Sequence, residues 1–284
     1  MKVRCLSQEE HERTRVLYEE IFTEDEKAFV DAYYAIKAKD NVILAVEEEG
    51  ELVAMLHRNP YAFRLRENVV QADYIVAVAT RKEFRHQGLM CRLLIQALQD
   101  MYMQKQPFAF LMPAAEAIYR PFDFRPMGNH DAAKLGSCSQ EELAEAFDLY
   151  VEKDADYRRR HIPWPGWEAT PLMMRLVHLK TFVKGIGAKE AQSLILAVED
   201  PILSENNGVF CWDFTTDGSR LFPTANEPEL RIGIADLGSF LFGRLAVEAF
   251  GEECFLGNAE ERKVVKAKLS RIRVLRKVYI NETV

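Results

Sequence analysis

Between Val76 and Met90 the chain reads Val-Ala-Val-Ala-Thr-Arg-Lys-Glu-Phe-Arg-His-Gln-Gly-Leu-Met, a valine-rich run passing through a charged turn into an apolar-periodic stretch. A strand that runs into a turn and then a helix leaves several helix-start N–H groups without backbone partners. Those donors, with the positive end of the helix dipole, suit a diphosphate. Gly88 removes a side chain where the phosphate would come closest, and Arg81, Lys82, Arg85 and His86 put positive charge beside it. The same features would serve a nucleotide or phosphosugar on another α/β fold. Alone they specify a phosphate-binding helix start.

The elements that must position this turn follow from periodicity. Leu89, Met90, Leu93, Leu94, Ala97, Leu98 and Met101 form a one-sided helical stripe after it. Before it lies a long strand, Val69 to Thr80, and after it a buried strand, Phe108 to Met112. Strand, turn, helix and strand make a βαβ unit, so the sheet is at least partly parallel. Upstream, Gln8 to Tyr34 reads as helix with Val16, Leu17, Ile21 and Phe22 on one side, and Asn41 to Val46 and Leu52 to His57 form a hairpin. Downstream, Ala114 to Phe122 reads as a short helix, and Ser139 with Glu142 caps a helix predicted from Gln140 to about Arg160. The segment from His161 to Trp167, with two prolines and two tryptophans, cannot continue it. The pattern restarts at Pro171 with strands at Leu172 to Val177, Ser193 to Val198, Gly208 to Phe214 and Glu229 to Ile234, helices at Ile234 to Phe250 and Glu260 to Ser270, and a last strand at Val278 to Ile280.

Composition narrows the class. The 284 residues are 48% hydrophobic and 29% charged, a profile that supports a real core. A net charge of -7 offers no global field for nucleic acid or an anionic membrane. No apolar run is long enough to span a bilayer, and Met1-Lys2-Val3-Arg4 leads into a charged segment unlike a signal peptide. Five scattered cysteines, none in a Cys-x-x-Cys pair, predict neither a disulfide framework nor a metal site and fit a reducing cytoplasm. The eight basic residues between Arg262 and Lys277 lack aromatic interleaving, which predicts a solvated helix face and no nucleic-acid partner. Trp164, Trp167 and Trp212 could line a pocket, but tryptophans more often pack. His11, His57, His130, His161 and His178 have no partners at catalytic spacing.

The strand-turn-helix resembles the GCN5-related N-acetyltransferase (GNAT) superfamily, whose acyl-CoA motif is Gln/Arg-x-x-Gly-x-Gly/Ala. Arg85, Gly88 and Met90 stand at its three named positions, Met90 departing from the usual small residue. The resemblance implies acetyl-CoA as co-substrate, held by Arg85, His86, Gln87, Gly88, Leu89 and Met90. It also implies a splayed strand whose backbone, at Val76, Ala77 and Val78, pairs with the pantetheine amides. The segment Ala117-Ile118-Tyr119-Arg120-Pro121-Phe122-Asp123-Phe124 is similar to the family's tyrosine motif, with Asp123 for an expected glycine. That makes Tyr119 the candidate general acid, since a pKa of about 10 is matched to returning a proton to a thiolate.

Pro171 to Val177, Ile234 to Gly243 and Tyr279 to Val284 resemble the carboxy-terminal part of the enhanced-intracellular-survival (Eis) acetyltransferases, a sterol-carrier-like α/β domain. In that family the chain's own terminal carboxylate is the general base, which would be that of Val284; burial would raise its pKa toward the working range. Asp73, the acidic residue within the long strand, is the alternative base.

The reading is therefore an α/β (α+β) protein: a mixed-sheet GNAT domain at 1–135, a helix and Trp/Pro linker at 136–170, and a smaller sterol-carrier-like domain at 171–284. The segment 128–170 is too short for the middle domain of longer Eis members, so their acceptors are not carried over and a homo-oligomer is left open. The reaction expected is acetyl transfer to a primary amine of a small molecule. A non-catalytic acyl-CoA- or lipid-binding module is the alternative.

Overall fold

In the computed structural model, which describes residues 1–129, 138–162 and 171–280, the long strand and its neighbours organise everything else. A nine-stranded mixed sheet contains β1 (Val3–Cys5), β2 (Val42–Glu48), β3 (Glu51–Leu65), β4 (Asn68–Thr80), β5 (Phe108–Leu111), β6 (Arg125–Asn129), β7 (Leu149–Val151), β8 (Pro171–Leu176) and, numbered last along the chain, β13 (Val278–Tyr279). The order is β1-β2-β3-β4-β5-β8-β6, with β7 joining β3 to β13. Strands β1 to β4 run antiparallel in sequence, whereas β4 and β5 are parallel, as the βαβ pattern predicts.

Helix α3 (Leu89–Met103) covers one face, burying Leu89, Leu93, Leu94, Ala97, Leu98 and Met101 against Leu56, Ile75, Ala109 and Leu111. Helices α1 (Thr14–Ile21) and α2 (Lys27–Ile36) cover the other, with Leu17, Tyr18, Tyr33 and Tyr34 against Met55, Ala77 and Ala79. The helix expected over Gln8 to Tyr34 is thus divided, a 3-10 turn preceding α1. Val16 does not face the core: it is 65% exposed beside Leu17 at 1%, because neighbours on a helix point about 100° apart.

Two further expectations are corrected. The helix at Gln140 has the Ser139/Glu142 capping box but stops at Ala146 as α5 (Gln140–Ala146), and α6 (Ala155–Arg160) starts anew on an Asp154 cap. Between them Leu149–Val151 is captured as β7 by the end of β3 and by β13; pairing across the sheet overrides local helix propensity. The helix at Ile234, α8 (Ile234–Leu241), ends before Phe250 because Gly243 takes φ +69, a left-handed stop. A Cβ there would meet the Leu275 carbonyl at 2.5 Å.

The second sheet is β11-β10-β9-β12, from β9 (Gln192–Glu199), β10 (Gly208–Phe214), β11 (Ser219–Pro223) and β12 (Leu230–Gly233), with α7 (Leu179–Phe182), α8 and α9 (Ala259–Arg271) around it. Trp212 is fully buried and donates its indole N–H to Ser219 Oγ at 2.7 Å, so it packs and lines no open pocket. Trp164, Trp167 and His130 lie outside the described residues. Strand β8, placed by the sequence at the head of the second unit, belongs to the first sheet, antiparallel to both β5 and β6. All five cysteines are free thiols. No helix among the described residues is long and apolar enough to cross a membrane.

Candidate active site

The site begins where two parallel strands part. Strands β4 and β5 pair only at Tyr74–Phe110 and Ile75–Leu111, and β5 ends there. The next residues of β4, Val76, Ala77 and Val78, have no strand on that side among the described residues. On the other side β3 pairs His57 with Val76 and Met55 with Ala79, so Leu56 alone stands against Ala77 and Val78. This is a bulge, and Ala77 absorbs it at φ +52. Beyond Ile75 the backbone groups on the β5 side of β4 therefore have no strand partner among the described residues. Such a ladder edge can pair with the amides of an extended ligand.

At the end of β4 the chain makes a 3-10 turn, Lys82–Phe84, and enters α3 through two left-handed residues, His86 at φ +62 and Gly88 at φ +73. Gly88 is the N-cap and brings no side-chain acceptor, so the first N–H groups of α3 point out uncapped. A Cβ on Gly88 would meet nothing within 4 Å, leaving open space over the helix start. Lys82, Arg85 and His86 are exposed and have no acidic partner among the described residues. Arg81 differs: it pairs with Glu20 at 3.1 Å and with Glu51, clamping the turn to α1 and the β2–β3 hairpin. Gln87 donates to the Glu83 carbonyl at 3.4 Å and Arg85 to that of Thr80 at 3.2 Å, bracing the turn. Open space, uncapped donors and the unpaired charges of Lys82 and Arg85 together fit a diphosphate. Met90, where a smaller residue was expected, packs inward beside the α3 cluster, which takes it out of the turn.

Tyr119 sits at the end of α4 (Glu116–Tyr119), 7% exposed, its ring edge-on to Phe124 at 6.1 Å. It shares one apolar cluster with Leu89 of the first turn of α3, and Val78 and Met90 border the same cluster. Residues of the splayed strand, the helix start and the tyrosine thus belong to or border one apolar cluster. Burial pushes the Tyr119 hydroxyl up to about 12, so it is a protonated donor at neutral pH. Asp123 takes φ +62, the left-handed conformation for which glycine was expected, and burial raises its carboxyl while Arg175 opposes the shift.

Asp73 is differently placed. Its carboxylate is 4% exposed and held by Arg58 at 2.7 Å, and Arg58 also donates to Gln104 at 2.6 Å, at the far end of α3 from Gly88. Val284 lies outside the described residues. Among the described residues no group of three His, Cys, Asp or Glu is placed to hold a metal ion.

Local pattern did not reveal the buried pair Arg175–Asp200, at 2.6 Å with both side chains at 0% exposure. Nor did it reveal that Leu203 of the β9–β10 loop enters the same cluster as Tyr119. Neither carries a short-range signal, because both depend on how the second unit docks.

Residues 2–127 match the family model described as an acetyltransferase (GNAT) domain, and residues 179–276 one described as a sterol carrier protein domain. No curated protein sequence matches the chain. Among solved structures, a GCN5-related N-acetyltransferase from Anabaena variabilis superposes with a TM-score of 0.74 at 15% identity over 100% of both chains. A probable N-acyltransferase from Enterococcus faecalis gives 0.72 at 13% identity, covering 98% of this chain and 99% of the other. Eis1 from Mycobacterium abscessus gives 0.69 at 13% identity over 100% of both. At such identities the likeness speaks for the fold. With the two family models, it gives the chain a GNAT-type acetyltransferase domain over residues 2–127 followed by a sterol-carrier-like domain over residues 179–276.

Proposed function

We propose that the protein transfers an acetyl group from acetyl-CoA to a primary amine of a small-molecule acceptor. The observation that carries this is the splayed, bulged β4 leading into an uncapped helix start, with Tyr119 on the same apolar cluster. In this reading the N–H groups at the start of α3, with Lys82, Arg85 and His86, bind the diphosphate, and the backbone of Val76 to Val78 pairs with the pantetheine amides. The amine lone pair attacks the thioester carbonyl, a C–N bond forms and the C–S bond breaks. Tyr119 gives its proton to the departing thiolate, and a base takes the proton released from nitrogen.

For the base we propose the α-carboxylate of Val284. Strand β13 runs parallel to β7, which is antiparallel to β3, so the chain heads along the sheet in the same direction as β4. Four residues follow Ile280, and support comes from the resemblance of the ending Tyr279 to Val284 to that of the Eis-type acetyltransferases. Asp73 is the weaker candidate because Arg58 holds it as a charged pair. A cytoplasmic location is proposed on the same footing, from the free cysteines.

The test is CoA thiol release from acetyl-CoA over a panel of primary amines, with the wild-type chain and one extended by a few residues beyond Val284. Turnover with the wild type and its loss on extension are expected. CoA binding by calorimetry without turnover on any amine would instead make the protein a binding module. Full activity of the extended chain would return Asp73 to consideration.

A further inference from the structure

Tyr119 is followed at once by a tight reversal: a 3-10 turn at Arg120–Phe122, then Asp123 at φ +62, a conformation that L side chains resist. Its own backbone closes it, Asp123 N–H donating to the Arg120 carbonyl at 3.0 Å and Phe124 N–H to that of Tyr119 at 3.4 Å, and a further hold comes from outside the turn. The Phe122 carbonyl accepts a hydrogen bond from Arg175 Nε at 2.9 Å, and the same guanidinium lies 3.8 Å from Asp123 Oδ2. Arg175 is on β8, yet its Nη2 pairs with Asp200 Oδ1 at 2.6 Å, and Asp200 belongs to the second unit, just past β9. Asp200 is itself held by the N–H groups of Ile202 at 3.0 Å and Leu203 at 2.9 Å and by Asn206 Nδ2 at 2.9 Å. Asn206 then returns to the residue just past β8, donating to the Val177 carbonyl at 2.8 Å. The path from the β9–β10 loop to the turn after Tyr119 is continuous.

Two charges with no solvent exposure are expensive to desolvate, and apolar residues of similar size often replace such a pair without loss of stability. The directional bond to Phe122 is what an apolar pair could not supply. We propose that Arg175, anchored by Asp200, is a positioning residue: it fixes the Arg120–Asp123 reversal and through it the Tyr119 hydroxyl, so that the sterol-carrier-like unit sets the geometry of the acid in the acetyltransferase unit. The inference rests on Tyr119 acting as the acid.

The test uses the full chain and compares Arg175→Lys, Tyr119→Phe and the double variant. Lysine keeps the charge but cannot donate to Phe122 and Asp200 in the fixed fork of a guanidinium. With thermal melting showing a folded protein, R175K is expected to lower kcat roughly 10- to 100-fold while KM for acetyl-CoA stays within about twofold. In the Y119F background the same change is expected to cost little more, because the group it positions is gone. Unchanged kcat in R175K, a change confined to KM, or fully multiplicative losses in the double variant would overturn the proposal. If Y119F alone keeps wild-type kcat, the acid reading fails, and positioning through Tyr119 fails with it; a multiplicative double variant beside an impaired Y119F sinks only the role of Arg175. Should R175K not fold, Asp200→Asn gives the same comparison, since it keeps the guanidinium and loosens its anchor.

Discussion

Arg58 and Asp73 face each other across β3 and β4 with their charged atoms 2.7 Å apart, 1% and 4% exposed, and this pair separates structural from chemical acids in the sheet. Asp73→Asn leaves the buried Arg58 guanidinium only Asp100, 3.8 Å away and half-buried, as counter-charge, which costs at most about 3 to 5 kcal/mol. A clear fall in the denaturant midpoint is expected, with kcat per folded molecule near wild type. A kcat loss of about 100-fold or more at full stability would mark Asp73 as the base.

Tyr119→Phe keeps the ring in its cluster and removes only the hydroxyl proton. A kcat decrease of about 100-fold or more is expected, with KM for acetyl-CoA little changed. Because burial moves the Tyr119 hydroxyl up to about 12, the tyrosine stays protonated well above neutrality. The wild-type rate should therefore hold on the alkaline side to about pH 10. A pH–rate profile that already falls between about 8 and 9 and loses that limb in the phenylalanine variant would contradict this assignment.

Gly88 separates the cost of strain from the cost of binding. Its φ of +73 makes a β-branched residue unfavourable by about 1 to 2 kcal/mol, although the space around it is open. Gly88→Val is expected to melt slightly earlier. Its Cβ branches would keep a phosphate from the helix N–H groups, charge-assisted bonds worth about 1.5 to 3 kcal/mol each. KM for acetyl-CoA should rise about tenfold or more while kcat changes little. Unchanged KM would remove the diphosphate from this turn.

His57 gives the fold an acid limit. It is fully buried on β3, its Nδ1 2.8 Å from the Tyr33 hydroxyl, and burial lowers its pKa to about 3. The folded chain thus refuses a proton that the unfolded chain takes near pH 6.5, its ordinary value. This contribution is complete above about pH 6.5 and is lost as the pH falls from there toward about 3. Urea unfolding should show roughly 1 to 2 kcal/mol lost to this group between about pH 7 and 5. A His57→Phe variant should show a shallower decline over that range. Equal slopes would mean that the imidazole is not kept neutral.

Much of this was legible because its signals are local. The α3 stripe, Gly88 before it, the Ser139/Glu142 box and the parallel return to β5 each need only a few consecutive residues. What escaped depends on partners far along the chain. Leu149–Val151 is helical by neighbourhood and becomes strand only because Phe63–Leu65 and Val278–Tyr279 flank it. Pro171–Leu176 reads as the start of something new, yet its pairing partners are β5 and β6. Ala77 stood within a plain strand pattern, and no residue type announces the bulge it carries. At the candidate site the turn and tyrosine were visible in the sequence, whereas the guanidinium holding the reversal after Tyr119 emerged only from the docking of the second unit.

The position of acetyl-CoA is decisive, and a crystal structure of the protein with CoA shows it most directly. The diphosphate should sit on the N–H groups following Gly88, with Arg85 alongside. The pantetheine amides should pair with the Val76 to Val78 backbone, and the sulfur should lie within about 3.5 Å of the Tyr119 hydroxyl. CoA bound elsewhere, or in this cleft with its sulfur far from Tyr119, would contradict the proposed chemistry.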